Sequence, residues 1–253
     1  HNVIARLPGA THPDETILYT AHWDHIGMGE PDATGDRIFN GAVDNASGTA
    51  GLLELARMFG RAPRTERSIV MISFTGEESG LLGSEYYAVN PVYPLAKTVG
   101  GFNMDSMNVY GRVTGLGVTG YGQSDFDERL AAAVQPQGRS LGPDYENAAG
   151  TYYRSDHFPL AKRGVPMAYA GSRGEFRDEP IAAREAARSE YGAKRYHQAA
   201  DEWSPDWDYS GMIEDLTVFY DVGRALANGR DWPQWKSGSE FAPVRATTAS
   251  ERR

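Results

Sequence analysis

Histidine and acidic side chains follow several apolar runs of this chain, at the point where each run ends. They are His22, Asp24 and His25, then Glu77 and Glu78, and Asp105, while Asp44 precedes a long helical pattern. In open α/β sheets, ligands gather beyond the carboxyl ends of the strands. We therefore expect these side chains to meet in one crevice, although each of them alone is typical of a solvated turn or a helix cap.

Four carboxylates in one crevice would repel one another and raise their own pKa values. Two divalent cations would balance these four charges, which belong to Asp44, Glu77, Glu78 and Asp105. The chain has no cysteine. A carboxylate and imidazole ligand set without sulfur suits zinc, and also manganese or cobalt. Each cation needs a nitrogen ligand, so a second histidine is required in addition to His22.

Two histidines lie downstream, His157 and His197. His197 is favoured because Asp201, four residues later, is placed to orient its imidazole. His157 is interpreted as a structural or supporting residue, and His25 as a residue that packs or supports a ligand.

The elements that must position these residues alternate along the chain. Continuous apolar runs predict buried strands at 16–21, 68–74, 99–104 and 165–170. Helical periodicity predicts helices at 47–59, 124–134 and 210–227. This alternation predicts an α/β fold, with helices packed on both faces of a mostly parallel sheet.

The rest of the chain suggests one domain at 1–235 and a polar tail at 236–253 that frays. Residues 172–196 are dense in charge and are expected to be irregular, and their position before His197 suggests a lid. The chain begins without Met, a basic region or an apolar segment. We therefore expect that an N-terminal part of the full-length protein is absent.

Composition argues against several kinds of partner. The formal net charge of -9 disfavours binding to nucleic acid or to anionic membranes. No apolar run approaches the roughly 20 residues that span a bilayer. A G-x-G-x-x-G match, "GLGVTG", is weak support for a dinucleotide site, since no helix begins at its third glycine. It is interpreted as a strand and a turn.

Six segments occur in a fixed order: "AHWDHIG", "GAVDNASG", "TGEESGLLGSEYY", "NMDSM", "SDHFPLAKRGVP" and "YHQAADEW". Together they resemble the co-catalytic di-zinc exopeptidase family, which includes bacterial leucyl aminopeptidase, glutamate carboxypeptidase and glutaminyl cyclase. The resemblance covers roughly residues 2–228. It implies the zinc-dependent exopeptidase fold, a three-layer sandwich whose central mixed sheet is mostly parallel and flanked by helices.

The resemblance also implies a role for each site residue. The metal ligands would be His22 and Asp105 on one zinc ion, Glu78 and His197 on the other, and Asp44 bridging both. Glu77 would be the general base, and Asp24 would form a hydrogen bond with His22 from behind. Tyr152, with Tyr153 as the alternative, would stabilise the oxyanion. A cis peptide bond is implied between Asp44 and Asn45.

The implied activity is that of an aminopeptidase, which hydrolyses the N-terminal bond of a peptide with a hydroxide shared by two zinc ions. A glutamate-carboxypeptidase-like enzyme and a glutaminyl cyclase are the alternatives. A non-catalytic binding module is disfavoured, because all five ligand positions and the base are filled. Relatives suggest a periplasmic or secreted location, and the sequence does not indicate an oligomeric state.

Overall fold

The computed structural model describes residues 1–144 and 150–252 of the chain. The strands are β1 (Val3–Leu7), β2 (His12–His22), β3 (Gly27–Met28), β4 (Ile38–Phe39), β5 (Arg67–Phe74), β6 (Thr98–Asn103), β7 (Val113–Val118), β8 (Ser140–Pro143) and β9 (Met167–Phe176). The α-helices are α1 (Gly48–Arg61), α2 (Leu82–Val89), α3 (Phe126–Val134), α4 (His157–Lys162), α5 (Ile181–Glu190), α6 (Ser210–Asn228) and α7 (Ala242–Thr247).

The central sheet has seven strands in the order β1-β5-β2-β6-β9-β7-β8. Its four middle strands, β5, β2, β6 and β9, are parallel to their neighbours within that group. β1 and β7 run antiparallel to β5 and β9, respectively, so the sheet is mixed. The carboxyl ends of the four middle strands therefore meet at one edge, which is the edge where the sequence places its acids and histidines.

Side chains of the sheet alternate between two cores. In β2, Ile17 and Tyr19 face a core that includes Leu55 of α1 and Phe219 of α6. Leu18 faces the opposite core, which includes Tyr87 of α2 and Leu160 of α4. Because both faces of the sheet are covered, its middle strands are continuously apolar, as predicted. The arrangement is the predicted three-layer α/β sandwich.

Two segments differ from the sequence prediction. Residues 172–196 are not irregular, because β9 extends to Phe176 and α5 follows it. The polar tail is not wholly frayed, because it contains α7. It also buries two side chains, although its sequence has no helical periodicity that would predict this. Phe241 is 3% exposed, and the buried Arg245 donates hydrogen bonds to the main-chain oxygens of Thr98 and Val99. Among the described residues, no helix has the length and apolar character needed to cross a membrane.

Candidate metal centre

The predicted site residues come from the ends of neighbouring strands. His22 is the last residue of β2, Glu77 and Glu78 follow β5, and Asp105 follows β6. Asp44 lies just before α1, and His197 lies in the loop that follows α5. The structure brings these six side chains together, although they are scattered from the first tenth of the chain to its last quarter.

Asp44 is the centre of the cluster. Its Oδ1 atom lies 3.1 Å from Nε2 of His22, and its Oδ2 atom lies 3.2 Å from Nε2 of His197. The side chain of Asp44 is buried, and the peptide bond that follows it to Asn45 is cis. One carboxylate thus presents a separate oxygen to each of two histidines, which is the arrangement that a bridging ligand requires.

The first histidine is held on both sides. Nδ1 of His22 is 3.1 Å from the main-chain oxygen of Asp24, which leaves Nε2 free to act as a ligand. Nε2 is also 3.4 Å from Oδ1 of Asp105. The other oxygen of Asp105 accepts a hydrogen bond of 2.7 Å from the hydroxyl of Ser155, which itself accepts one from Asn103.

The second histidine pairs with Glu78. Oε2 of Glu78 lies 3.2 Å from Nε2 of His197, and Oε1 lies 2.6 Å from Nδ1 of His25. His25 therefore contacts Glu78, and its role as a support for a ligand stays a prediction. His197 has a φ of 57° and stacks on Tyr196 with ring centroids 3.9 Å apart.

Asp24 has a different task from the one that the sequence predicts. The main-chain oxygen of Asp24 accepts the hydrogen bond from Nδ1 of His22. The nearest carboxylate oxygen of Asp24 is 3.8 Å from the same nitrogen. The carboxylate instead accepts hydrogen bonds from the amides of Glu77 (3.1 Å) and Glu78 (3.3 Å). It thereby fixes the backbone that presents both glutamates.

Glu77 and Glu78 lie in a turn that follows β5. Amides of Gly80 and Leu81 both donate to the main-chain oxygen of Glu77. Gly76 has a φ of 72°, in the left-handed region that favours glycine. Glu78 groups with His22 and Asp44, whereas Glu77 groups with His22 and Asp105.

The cluster has an excess of negative charge. Burial and the charge of Asp105 raise the pKa of Glu77 to about 9. Burial also raises the pKa of Asp44, against the opposing effect of His22. Against the effect of burial, Asp105 and Asp44 raise the pKa of His22. Divalent cations beside these side chains would stabilise the ionised form of the carboxylates.

The donor atoms fit zinc. Tetrahedral zinc with nitrogen and oxygen ligands places adjacent donor atoms about 3.3–3.5 Å apart. The pairs that involve His22 and His197 here are separated by 3.1–3.4 Å. The ligand set contains only imidazole nitrogen and carboxylate oxygen, and His22 already has the second hydrogen bond that a metal-bound histidine needs.

Tyr152 lies in an aromatic cluster rather than among the acids. Its ring stacks on Phe241, with centroids 5.8 Å apart, and its buried hydroxyl has no hydrogen-bond partner among residues 1–144 and 150–252. Burial and then the charge of Glu240 raise its pKa. The alternative residue, Tyr153, is exposed. The structure therefore does not join either tyrosine to the six side chains of the centre.

Tyr169 is a candidate that the sequence interpretation missed. It pairs with Asn103 in adjacent parallel strands, two residues before Asp105. Paired residues share a face, so Tyr169 lies on the same face of the sheet as Asn103, near the strand end that Asp105 follows. Burial and the charges of Asp105 and Asp44 raise its pKa. The signal in the sequence was its position near the end of the strand predicted at 165–170.

His157 is fully buried between two tyrosine rings. Its ring centroid is 4.7 Å from that of Tyr152 and 4.9 Å from that of Tyr169. Burial lowers its pKa to about 3, so the imidazole is neutral at physiological pH. His157 therefore supports the fold beside the centre. Of the two downstream histidines, His197 is the one that faces Asp44.

Comparison with known proteins shows the family. The model of peptidase family M28 matches residues 2–220. The chain belongs to peptidase family M28. This agrees with the resemblance drawn from the six sequence segments, and with the predicted fold.

Individual proteins are also similar to this chain. The chain is 43% identical over 86 residues to a probable zinc metalloprotease of Pyrenophora teres f. teres, covering 34% of this chain and 18% of that protein. It is 30% identical over 169 residues to leupeptin-inactivating enzyme 1 of Streptomyces exfoliatus, covering 66% and 34%. The solved aminopeptidase from Aneurinibacillus sp. strain AM-1 has a TM-score of 0.60 at 23% identity, covering 90% of this chain and 48% of that one. The chain thus spans less than half the length of these proteins.

Proposed function

We propose that this M28 chain is the catalytic part of a zinc-dependent exopeptidase, and that it is an aminopeptidase with two zinc ions. The observation that carries the proposal is the carboxylate of Asp44, whose two oxygens face His22 and His197 at 3.1 and 3.2 Å. His22 and Asp105 would hold one ion, and Glu78 and His197 the other. Manganese and cobalt have compatible ligand preferences.

Zinc in such a site supplies Lewis acidity, which polarises a carbonyl and lowers the pKa of water. The residues of this chain would supply the proton transfer and the orientation. Glu77 is only partly buried and is held by Asp24, so it is placed to accept a proton from the attacking water and to return it to the leaving amine.

A tyrosine hydroxyl would stabilise the oxygen that becomes negative during attack. The family resemblance favours Tyr152 in this role. The surroundings of Tyr169 support that residue instead, because it pairs with Asn103 near the end of β6, and because burial and the charges of Asp105 and Asp44 raise its pKa. We include Tyr169 in the proposal and retain Tyr152 as the alternative.

The substrate is proposed to be a peptide with a free N-terminal amine. The segment "SDHFPLAKRGVP" resembles the aminopeptidase branch of the family, and the solved structures that are similar to this chain include aminopeptidases. Residues with apolar surface near the site loops, such as Trp23 and Tyr153, are exposed and suit an uncharged side chain. The proposal includes the periplasmic or secreted location that the family resemblance implies.

The experiment is metal analysis of the purified chain together with a substrate panel. Aminoacyl substrates, peptides with a C-terminal glutamate and peptides with an N-terminal glutamine are assayed with and without zinc and a chelator. We expect two zinc ions per chain and chelator-sensitive release of N-terminal residues. Activity confined to glutamyl C-termini, or cyclisation of glutamine, would replace the aminopeptidase assignment. A chain that binds no zinc and cleaves none of these would contradict the proposal.

Glu77→Gln tests the assignment of the general base. We expect turnover to fall by about 100- to 10,000-fold, because the amide cannot accept the proton. The zinc content should remain that of the wild type. Glu85→Gln, on the surface of α2, is the matched control and should retain full activity. Loss of zinc in Glu77→Gln would make this residue a ligand instead of a base.

A further inference from the structure

Asp201 joins two distant segments that both supply the metal centre. Its Oδ1 atom accepts a hydrogen bond of 2.9 Å from the amide of Val43, and Oδ2 accepts one of 3.0 Å from the amide of Asp44. Its main-chain oxygen accepts a third, of 3.1 Å, from Ala42. Asp201 is 1% exposed. The sequence predicts that Asp201 orients His197. In the structure its carboxylate instead holds the main-chain amides of Val43 and Asp44.

The backbone around Asp44 is also held from its other side. The side-chain oxygen of Asn45 accepts hydrogen bonds from the amides of Gly48 (2.9 Å) and Ser106 (3.2 Å). Ser106 follows Asp105, so Asn45 connects Asp44 to one partner ligand. Asp201 lies four residues after His197 and so connects Asp44 to another. Asp44 is thus positioned by one anchor on each side.

We propose that Asp201 is a positioning residue for the bridging carboxylate, and that tight zinc binding at both positions depends on its two hydrogen bonds. The inference rests on the proposed function for the identity of the metal. The physical reason is geometric. Asp44 must present one oxygen to each histidine at 3.1 and 3.2 Å, and a rotation of its backbone would move both oxygens together.

Asp201→Asn removes one acceptor with almost no change in shape. An ionised carboxylate accepts hydrogen bonds at both oxygens, whereas an amide offers one oxygen and one NH2 donor. One of the amides of Val43 and Asp44 would then face a donor and lose its partner. Asp201→Glu keeps both acceptors on a longer side chain.

Asp215→Asn is the matched control. Asp215 of α6 is also 1% exposed, and its carboxylate accepts a hydrogen bond of 2.7 Å from Ser172 and lies 2.7 Å from Arg139. The same atoms change at the same degree of burial, but the partners lie in β9 and just before β8, and not in the centre. A general effect of disturbing a buried carboxylate would therefore appear in both variants.

The test measures zinc affinity by competition with a chelator, and amide hydrogen exchange in the zinc-free proteins. We expect Asp201→Asn to bind zinc about 10- to 100-fold more weakly than the wild type, and Asp215→Asn to change affinity by less than about threefold. Exchange at Val43 and Asp44 should accelerate only in Asp201→Asn. Asp201→Glu should recover part of the affinity.

Unchanged zinc affinity in Asp201→Asn would overturn the proposal, as would an equal loss in Asp215→Asn. An Asp201→Asn chain that fails to fold, beside a folded Asp215→Asn chain, would assign Asp201 to folding and also contradict it. Failure of the proposed function is separable, because it would appear as a wild type without zinc. The exchange comparison would then still show whether Asp201 holds the backbone of Asp44.

Discussion

Nδ1 of His25 lies 2.6 Å from Oε1 of Glu78, which turns the other carboxylate oxygen toward His197. On the proposed function, the imidazole would support a metal ligand, and such supports change metal affinity by about 10- to 100-fold. We expect His25→Phe to weaken zinc binding by this factor, because it keeps an aromatic ring at this position but removes the hydrogen bond to Glu78. His12→Phe, at the opposite end of β2, should bind zinc like the wild type. Equal affinities, measured by chelator competition, would reject the supporting role.

Tyr169 and Tyr152, the two candidate oxyanion donors, can be distinguished by removing each hydroxyl. Loss of one oxyanion donor lowers kcat by about 100- to 1,000-fold. We expect Tyr169→Phe to show a loss of this order, and Tyr152→Phe to lower kcat by less than about threefold. Steady-state kinetics on one aminoacyl substrate, with zinc content checked for each protein, decides between them. The reverse pattern would return the role to Tyr152.

Removal of zinc should destabilise the whole domain. Without cations, the four carboxylates of the centre repel one another, and the free energy of binding is lost from the folded state. At a zinc concentration 100 times Kd, one site contributes about 2.7 kcal/mol. For a domain of this size that corresponds to a fall in Tm of about 5–10 °C for each ion that the chelator removes.

Scanning calorimetry with and without a chelator measures this difference. Asp105→Asn, which lacks one ligand, should show a smaller fall than the wild type. A wild-type Tm that does not respond to the chelator would show that metal binding and folding are not coupled here.

Arg245 links the C-terminal segment to the sheet. Its guanidinium donates to the main-chain oxygens of Leu95, Thr98 and Val99 and is 4% exposed. We expect Arg245→Met to reduce the free energy of unfolding by about 3 kcal/mol, because buried oxygens would lose their partners. Arg61→Met, at the exposed end of α1, is the control. Equal urea midpoints for the two variants would show that this contact does not stabilise the fold.

The convergence of the ligands could be predicted because it follows from the sheet. Apolar runs indicate buried strands, and parallel strands place their carboxyl ends at one edge. Glu78 and Asp105 had to meet there once β5 and β6 were recognised. The clustering of four acids then required cations. None of these steps needed the conformation of a loop.

The hydrogen bonds that hold the backbone around the predicted ligands could not be predicted in the same way. Asp24 and Asp201 both use their carboxylates to hold main-chain amides, and any loop geometry that brings an amide near an aspartate would serve. The sequence predicted instead that each would orient a histidine. The helix α5 was missed for another reason, since its charges suggested solvent, although its Ala, Glu and Arg content favours a helix.

Asp44 and His197 are 153 residues apart in the chain, yet their side chains must act together. During translation, Asp44 leaves the ribosome long before His197 has been added. A growing or truncated chain therefore carries only part of the proposed zinc site. On the proposed function, a peptidase of this design cannot act on other newly made proteins until His197 has been added to the chain.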